Sequence, residues 1–144
     1  MEFFSKLVSF LFLILLFIIP IIIWYHINKR KIKYKFIVYL FTGIISTLLL
    51  ALVLAWWVDF SNHLLLAYYN YDLEVVNEAN SLNNVLPENI ERVKSLQMSL
   101  MGIGWPLKAL ISYVFYSPYI FLVYLVGVFL QKKYLTINSK SVSD

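Results

Sequence analysis

Apolar side chains run along this chain in three long blocks, and most of what the sequence implies follows from where those blocks stop. Residues 7–25 (LVSFLFLILLFIIPIIIWY) and 36–58 carry no charge, and residues 107–130 carry only Lys108, close to the start of the block. There a long aliphatic stem lets the ammonium reach water. As helices the three blocks would extend roughly 28, 34 and 36 Å, against a hydrocarbon layer of about 30 Å. Each is long enough to cross a membrane as a helix, the conformation that satisfies its own backbone polar groups without water. The first block is too long for the apolar core of a cleaved leader, and bases follow it instead of a small-residue cleavage site. It therefore reads as a retained span.

Between the second and third blocks the pattern changes. In the interval 59–106 apolar residues recur at helical spacing, as Ile90, Val93, Leu96, Leu100 and Met101 do, and Pro87 suits a first helical turn. This predicts an amphipathic helix over 88–101, on or near the membrane. "GIGWP" (102–106) ends it and turns the chain into the third span, with Trp105 at headgroup depth. A second helical piece is expected over about 61–83, and residues 131–144 read as a polar tail. The fold expected is an all-α integral membrane protein, a single polytopic domain over 1–144. It has three transmembrane helices, with an extracytoplasmic amphipathic helical segment between the second and third.

Charge supplies the threading. The loop 26–35 holds Lys29, Arg30, Lys31, Lys33 and Lys35, and the tail holds Lys132, Lys133 and Lys140. The N-terminus has Lys6 beside Glu2, and the interval 59–106 has six acids against two bases. Lysines and arginines near span ends stay on the cytoplasmic side. The expected arrangement is thus N-terminus outside, basic loop inside, interval outside and C-terminus inside, in a bacterial inner membrane. The five basic residues of the loop are its topology anchor. The formal charge of +4 lies next to the apolar blocks, so lipid headgroups and not nucleic acid are the expected counter-ions. A mean hydropathy of +0.75 with 61% hydrophobic residues agrees, because a soluble domain of this size has too little polar surface to cover so much apolar side chain.

Two of the blocks carry packing signals. Gly43, Thr47, Ala51 and Ala55 are small residues four apart, a stripe that lets another helix approach closely in lipid. Tyr113, Tyr116, Ser117, Tyr124 and Gly127 share one arc of the third span. Counted by depth from the cytoplasmic side, Gly43 falls near Tyr124, Ala51 near Tyr116 and Ala55 near Tyr113. Bulky rings would then meet small-residue hollows within the molecule. The first span has no such stripe and suits a lipid-facing role. Pro118 frees a carbonyl that a tyrosine or water must satisfy.

Candidate chemistry changes this picture little. The absence of cysteine removes disulfides, thiolate metal sites and thiol nucleophiles. Asp59 and His63 share a helical face, as an oriented catalytic or metal-bound histidine would. They sit where the second span should leave the bilayer, however, and His26 is too far along the threading to join them. No phosphate loop, nucleophile elbow or HExxH is present. No cofactor, metal or catalytic residue is expected.

What remains is contact with another membrane or envelope protein, for which Asp72, Glu74, Glu78, Glu88 and Glu91 form the expected partner-binding face. In size and hydropathy the chain is similar to small polytopic immunity proteins against pore-forming bacteriocins and to phage superinfection-exclusion proteins. That similarity implies a non-enzymatic, protective role. The alternatives are a holin-like lysis protein or an accessory subunit of a membrane complex.

Overall fold

The computed structural model describes residues 1–30, 32–71, 81–82 and 84–140, with residues 134–140 as backbone only. Among the described residues the elements are helical: α1 (Glu2–Lys29), α2 (Lys35–Tyr68), a 3-10 turn (Pro87–Asn89) leading into α3 (Ile90–Leu100), and α4 (Trp105–Lys140). Helices α1, α2 and α4 are long and apolar enough to cross a membrane. Only 6%, 17% and 11% of their most apolar stretches is buried inside the protein. Phe10, Phe41, Phe115 and Phe129 all point outward. Water would oppose such a surface at about 25 cal/mol per Å² of apolar area, whereas lipid does not, so the chain is read as a membrane protein.

The helices overrun the apolar blocks. No break occurs at Val58, and α2 continues through "DFSNHLLLAY" to Tyr68 because that stretch holds no Gly or Pro and keeps Leu65 and Leu66 on one face. It stops at Asn70, whose φ of 56° is a left-handed conformation that asparagine tolerates. The amide of Tyr71 donates to the carbonyl of Leu66 (3.0 Å), and that of Asn70 to Ala67 (3.1 Å). This pair of bonds is the Schellman ending, and Leu66 and Tyr71 meet in the same apolar cluster, as that ending favours. Residues 131–140, which read as a polar tail, continue α4 as helix.

Contacts divide the chain into two compact units, Met1–Leu13 with Leu52–Leu110 and Ile14–Ala51 with Ile111–Asp144. The first unit is organised by α3. Its residues Val93 and Leu96 are buried against Leu65 and Leu66 of α2 and against Val85, with Tyr69, Tyr71, Ile90 and Leu100 around them. Of the expected apolar stripe, Val93 and Leu96 are thus buried within the unit, Ile90 and Leu100 are partly buried, and Met101 is exposed. Gly102, at φ 92°, makes the turn out of α3. Lys108 does more than reach water, since its Nζ donates to the carbonyl of Ser99 (2.6 Å). It thereby supplies positive charge to a helix C-terminus with unmet acceptors.

In the second unit Ile27, Tyr39 and Ile120 form the buried centre, with Trp24, Tyr113, Tyr116 and Tyr124 packed on it. The loop from α1 to α2 is closed by Lys35, whose Nζ donates to both the carbonyl (3.0 Å) and Oδ1 (3.1 Å) of Asn28.

Candidate functional surface

The first unit presents its charge on α3. Burying Val93 and Leu96 turns Glu91, Lys94 and Met98 to the opposite, exposed side of the helix, and Met98 is 76% exposed. Glu88, in the 3-10 turn, is exposed beside them. Three of the five acids expected to form a partner-binding face, Asp72, Glu74 and Glu78, lie outside the described residues. Glu88 and Glu91 are therefore the part of that face that can be located.

The helix carrying them is tied down by polar contacts as well as by its core. The Nε of Arg92 donates to Oε1 of Glu2, and the Tyr69 hydroxyl donates to the same oxygen at 3.0 Å. Desolvation, and after it the bond to Glu2, pushes the Tyr69 hydroxyl above the ordinary tyrosine range. Tyr69 therefore stays protonated, and a donor, at any physiological pH. Nδ2 of Asn62 donates to the Ser99 hydroxyl (2.9 Å), which in turn donates to Leu96. Nothing in the local sequence pattern marks Glu2 as a partner of Arg92, ninety residues away. Glu2 stands just before an apolar block and Arg92 well inside the interval 59–106, so the sequence offers no signal that pairs them.

Asp59 and His63 do meet. Nδ1 of His63 is 2.8 Å from the Asp59 carbonyl and 3.6 Å from its carboxylate. Among the described residues no group of three His, Cys, Asp or Glu side chains is placed to hold a metal ion. The pair belongs to an exposed helical turn.

The second unit contains the small stripe and the tyrosines. Gly43 and Thr47 are buried on α2, and Ala51 is half-buried. A Cβ added at Gly43 would lie 3.5 Å from Cγ2 of Ile120, an ordinary contact. Thr47 donates to the Gly43 carbonyl (2.6 Å), and its hydroxyl is 2.9 Å from that of Tyr113, which itself reaches the Ile44 carbonyl at 3.0 Å. Depth counting placed Tyr113 beside Ala55; its hydroxyl instead lies two to three turns nearer the start of α2, at Thr47 and the Ile44 carbonyl, polar partners that the alanine side chain lacks. Ala55 is half-buried in the first unit. The ring of Tyr124 packs on Phe36 and Tyr39, at 4.9 and 5.3 Å between centroids.

Helix α1 takes a larger part than its sequence suggested. Pro20 is buried, and having no N–H it leaves the Leu16 carbonyl without a helical donor. The Tyr116 hydroxyl donates to that carbonyl at 2.7 Å, and Tyr119 donates to the neighbouring Phe17 carbonyl at 3.0 Å. Gly127 faces α1 as well, since a Cβ there would collide with the Trp24 indole, 2.6 Å from Nε1. At Pro118 the freed Val114 carbonyl is satisfied locally, by Ser117 at 2.9 Å. Tyr39, which no sequence signal singled out, is fully buried and donates to the Ile120 carbonyl (3.0 Å). It stands four residues before Gly43, on the same stripe.

Of the anchor residues, Lys29, Arg30 and Lys33 are exposed, and Lys35 serves as the loop clamp already described. Lys31 lies outside the described residues. Lys29 and Lys33 stand over the rings of Tyr25 and Tyr34, at 5.9 and 5.7 Å. Comparison with protein-family models, with curated proteins and with solved structures yields no match.

Proposed function

We propose that this chain is a non-enzymatic protein of a bacterial inner membrane that acts by contact with another membrane or envelope protein, and that the contact is protective. Its role is to block an incoming toxin or phage component. The observation that carries this reading is the position of α3. A helix held by its own apolar core and by the Glu2–Arg92 and Asn62–Ser99 bonds keeps Glu88, Glu91 and Met98 facing outward on a fixed frame. A fixed frame lowers the ordering cost of binding, and Glu88 and Glu91, with Lys94 beside them, leave the face net acidic, which favours a basic partner. The positive-inside bias supports an extracytoplasmic position for this face, where an invader arrives.

Moderate expression should be harmless to cells and make them refractory to a bacteriocin or a phage. Glu88→Gln with Glu91→Gln should remove protection while membrane insertion is unchanged. Cysteines placed singly at Ser5 and Asn84 should react with an impermeant thiol reagent in intact cells, and one at Ser139 should not. Rapid collapse of the membrane potential on expression alone would overturn the proposal in favour of a holin. Harmless expression with no protection would leave the role of an accessory subunit.

A further inference from the structure

The first unit contains a cavity of about 460 Å³ that the contact surface of α3 does not use. Its mouth is ionic: Glu2, Lys6 and Arg92 stand there, with serines and Asn62 next to them. Its apolar side is formed by Phe10 and Leu13 of α1, both of which are also exposed at the protein surface, and by Leu54 of α2. From Glu2 to Leu13 the α1 wall descends roughly 16 Å at the helical rise. Over that distance it passes from charge through hydroxyl to hydrocarbon, the same gradient that a lipid leaflet has from headgroup to acyl chain.

Charge at the mouth specifies the headgroup. Two cations face a single carboxylate, so one positive charge is left without an acidic partner in the cavity lining. Glu2 is engaged chiefly by Arg92 and Tyr69. The Lys6 ammonium is 3.5 Å from the other Glu2 oxygen, and its side chain is 69% exposed, so it can turn to a bound anion. We infer that this cavity binds an anionic phospholipid, with the phosphate at Lys6 and Arg92 and an acyl chain against Phe10, Leu13 and Leu54. A volume of this size is within the ordinary range for a specific small-ligand site. A lipid so held would fill the space between α1 and α2 beside the Glu2–Arg92 bond, and so would brace the frame on which α3 rests.

The test is native mass spectrometry of the full chain, purified in detergent and mixed with equal amounts of phosphatidylglycerol and phosphatidylcholine of matched acyl chains. The wild type should retain one phosphatidylglycerol in preference to phosphatidylcholine. Lys6→Gln, at an exposed side chain, should lower phosphatidylglycerol retention about fivefold, the weight of one cation at a membrane surface, and leave phosphatidylcholine unchanged. Leu54→Trp should fill the inner cavity and reduce retention of both lipids. Leu13→Trp does the same from the other helix, should the first variant fail to fold. Inorganic phosphate should not displace the lipid. Equal retention of the two lipids by the wild type, phosphatidylglycerol retention that survives Lys6→Gln and both tryptophans, or displacement by inorganic phosphate would each overturn the proposal.

Discussion

The two compact units hold helices together by opposite means. In the first, aliphatic side chains do the packing: Leu65 and Leu66 on one helix, Val93 and Leu96 on another, and Val85 from the connecting segment. Polar contacts sit around that cluster. In the second, tyrosine hydroxyls reach across to main-chain carbonyls. Tyr39 bonds Ile120, Tyr113 bonds Ile44, Tyr116 bonds Leu16 and Tyr119 bonds Phe17. The two means differ in how far they depend on the surrounding solvent. Burying a leucine is favourable only when the alternative is water, and in lipid the alternative is already hydrocarbon. Helices in lipid need shape complementarity and hydrogen bonds instead, and a tyrosine supplies both from one side chain.

The largest effect should therefore come from the aliphatic cluster. Leu66→Ala removes a fully buried side chain, and such truncations cost about 2–5 kcal/mol. Amide hydrogen exchange should show protection lost over Ile90–Leu100, while the amides around Thr47 and Ile120 keep theirs. Equal loss in both units would mean that they are not stabilised separately, and the comparison would fail.

Overpacking should have the next largest effect, and it should discriminate between two glycines. Gly127→Leu puts a side chain into the Trp24 indole, whereas Gly43→Ala meets Ile120 at an ordinary distance. The first should cost about 1–3 kcal/mol and lower the folded yield in detergent, and the second should be close to neutral. The reverse order would put the tight helix approach between α2 and α4 and not between α1 and α4.

These glycines also show how far the sequence could be read. Helix type and the three long helices were legible because hydrophobicity over some twenty residues outweighs every local preference, but their ends were not, since α2 runs on to Tyr68 and α4 to Lys140. Of the small-residue stripe on α2, Gly43 and Thr47 are buried and Ala51 and Ala55 half-buried. Its partners were not legible. Counting depth from the cytoplasmic ends assumes straight helices of equal tilt, and Pro20 and Pro118 make that assumption unsafe. Gly127 was grouped with the α2 contact because its arc matched, yet a glycine marks only close approach and not which helix approaches. The amphipathic stripe of α3 was correctly seen, but not that Val93 and Leu96 pack on Leu65 and Leu66, because a membrane surface and a small protein core ask for the same spacing. The Glu2–Arg92 bond links residues with no periodic relation, so no pattern could have announced it.

Hydroxyl removal should have a smaller effect, and it can test the proline argument directly. Tyr116→Phe keeps the ring and deletes the donor to the carbonyl that Pro20 frees. The expected cost is about 1 kcal/mol, as for single interhelical bonds in membranes. Pro20→Ala should make the loss milder by restoring a helical N–H for Leu16, so a double-mutant cycle should show coupling. Thermal unfolding in detergent measures all three variants. If Tyr116→Phe costs the same with and without Pro20, the hydroxyl is not answering the freed carbonyl.

The smallest effect expected is the response to salt, and it separates the units without any substitution. The first unit has exposed ionic contacts, from Lys108 to the Ser99 carbonyl and from Lys6 to Glu2, beside the part-buried Arg92–Glu2 pair. At about 1 M sodium chloride the screening length falls to about 3 Å, and exposed pairs of this kind contribute no more than about 1 kcal/mol to begin with. Exchange over Ile90–Leu100 should rise slightly with salt, and Lys108→Gln should reproduce part of that rise and blunt the remainder. The tyrosine bonds of the second unit join neutral partners packed among helices, so exchange near Ile44 and Ile120 should not respond. A salt response of equal size at those sites would mean that charge holds the second unit as well, and the contrast in chemistry would be one of degree only.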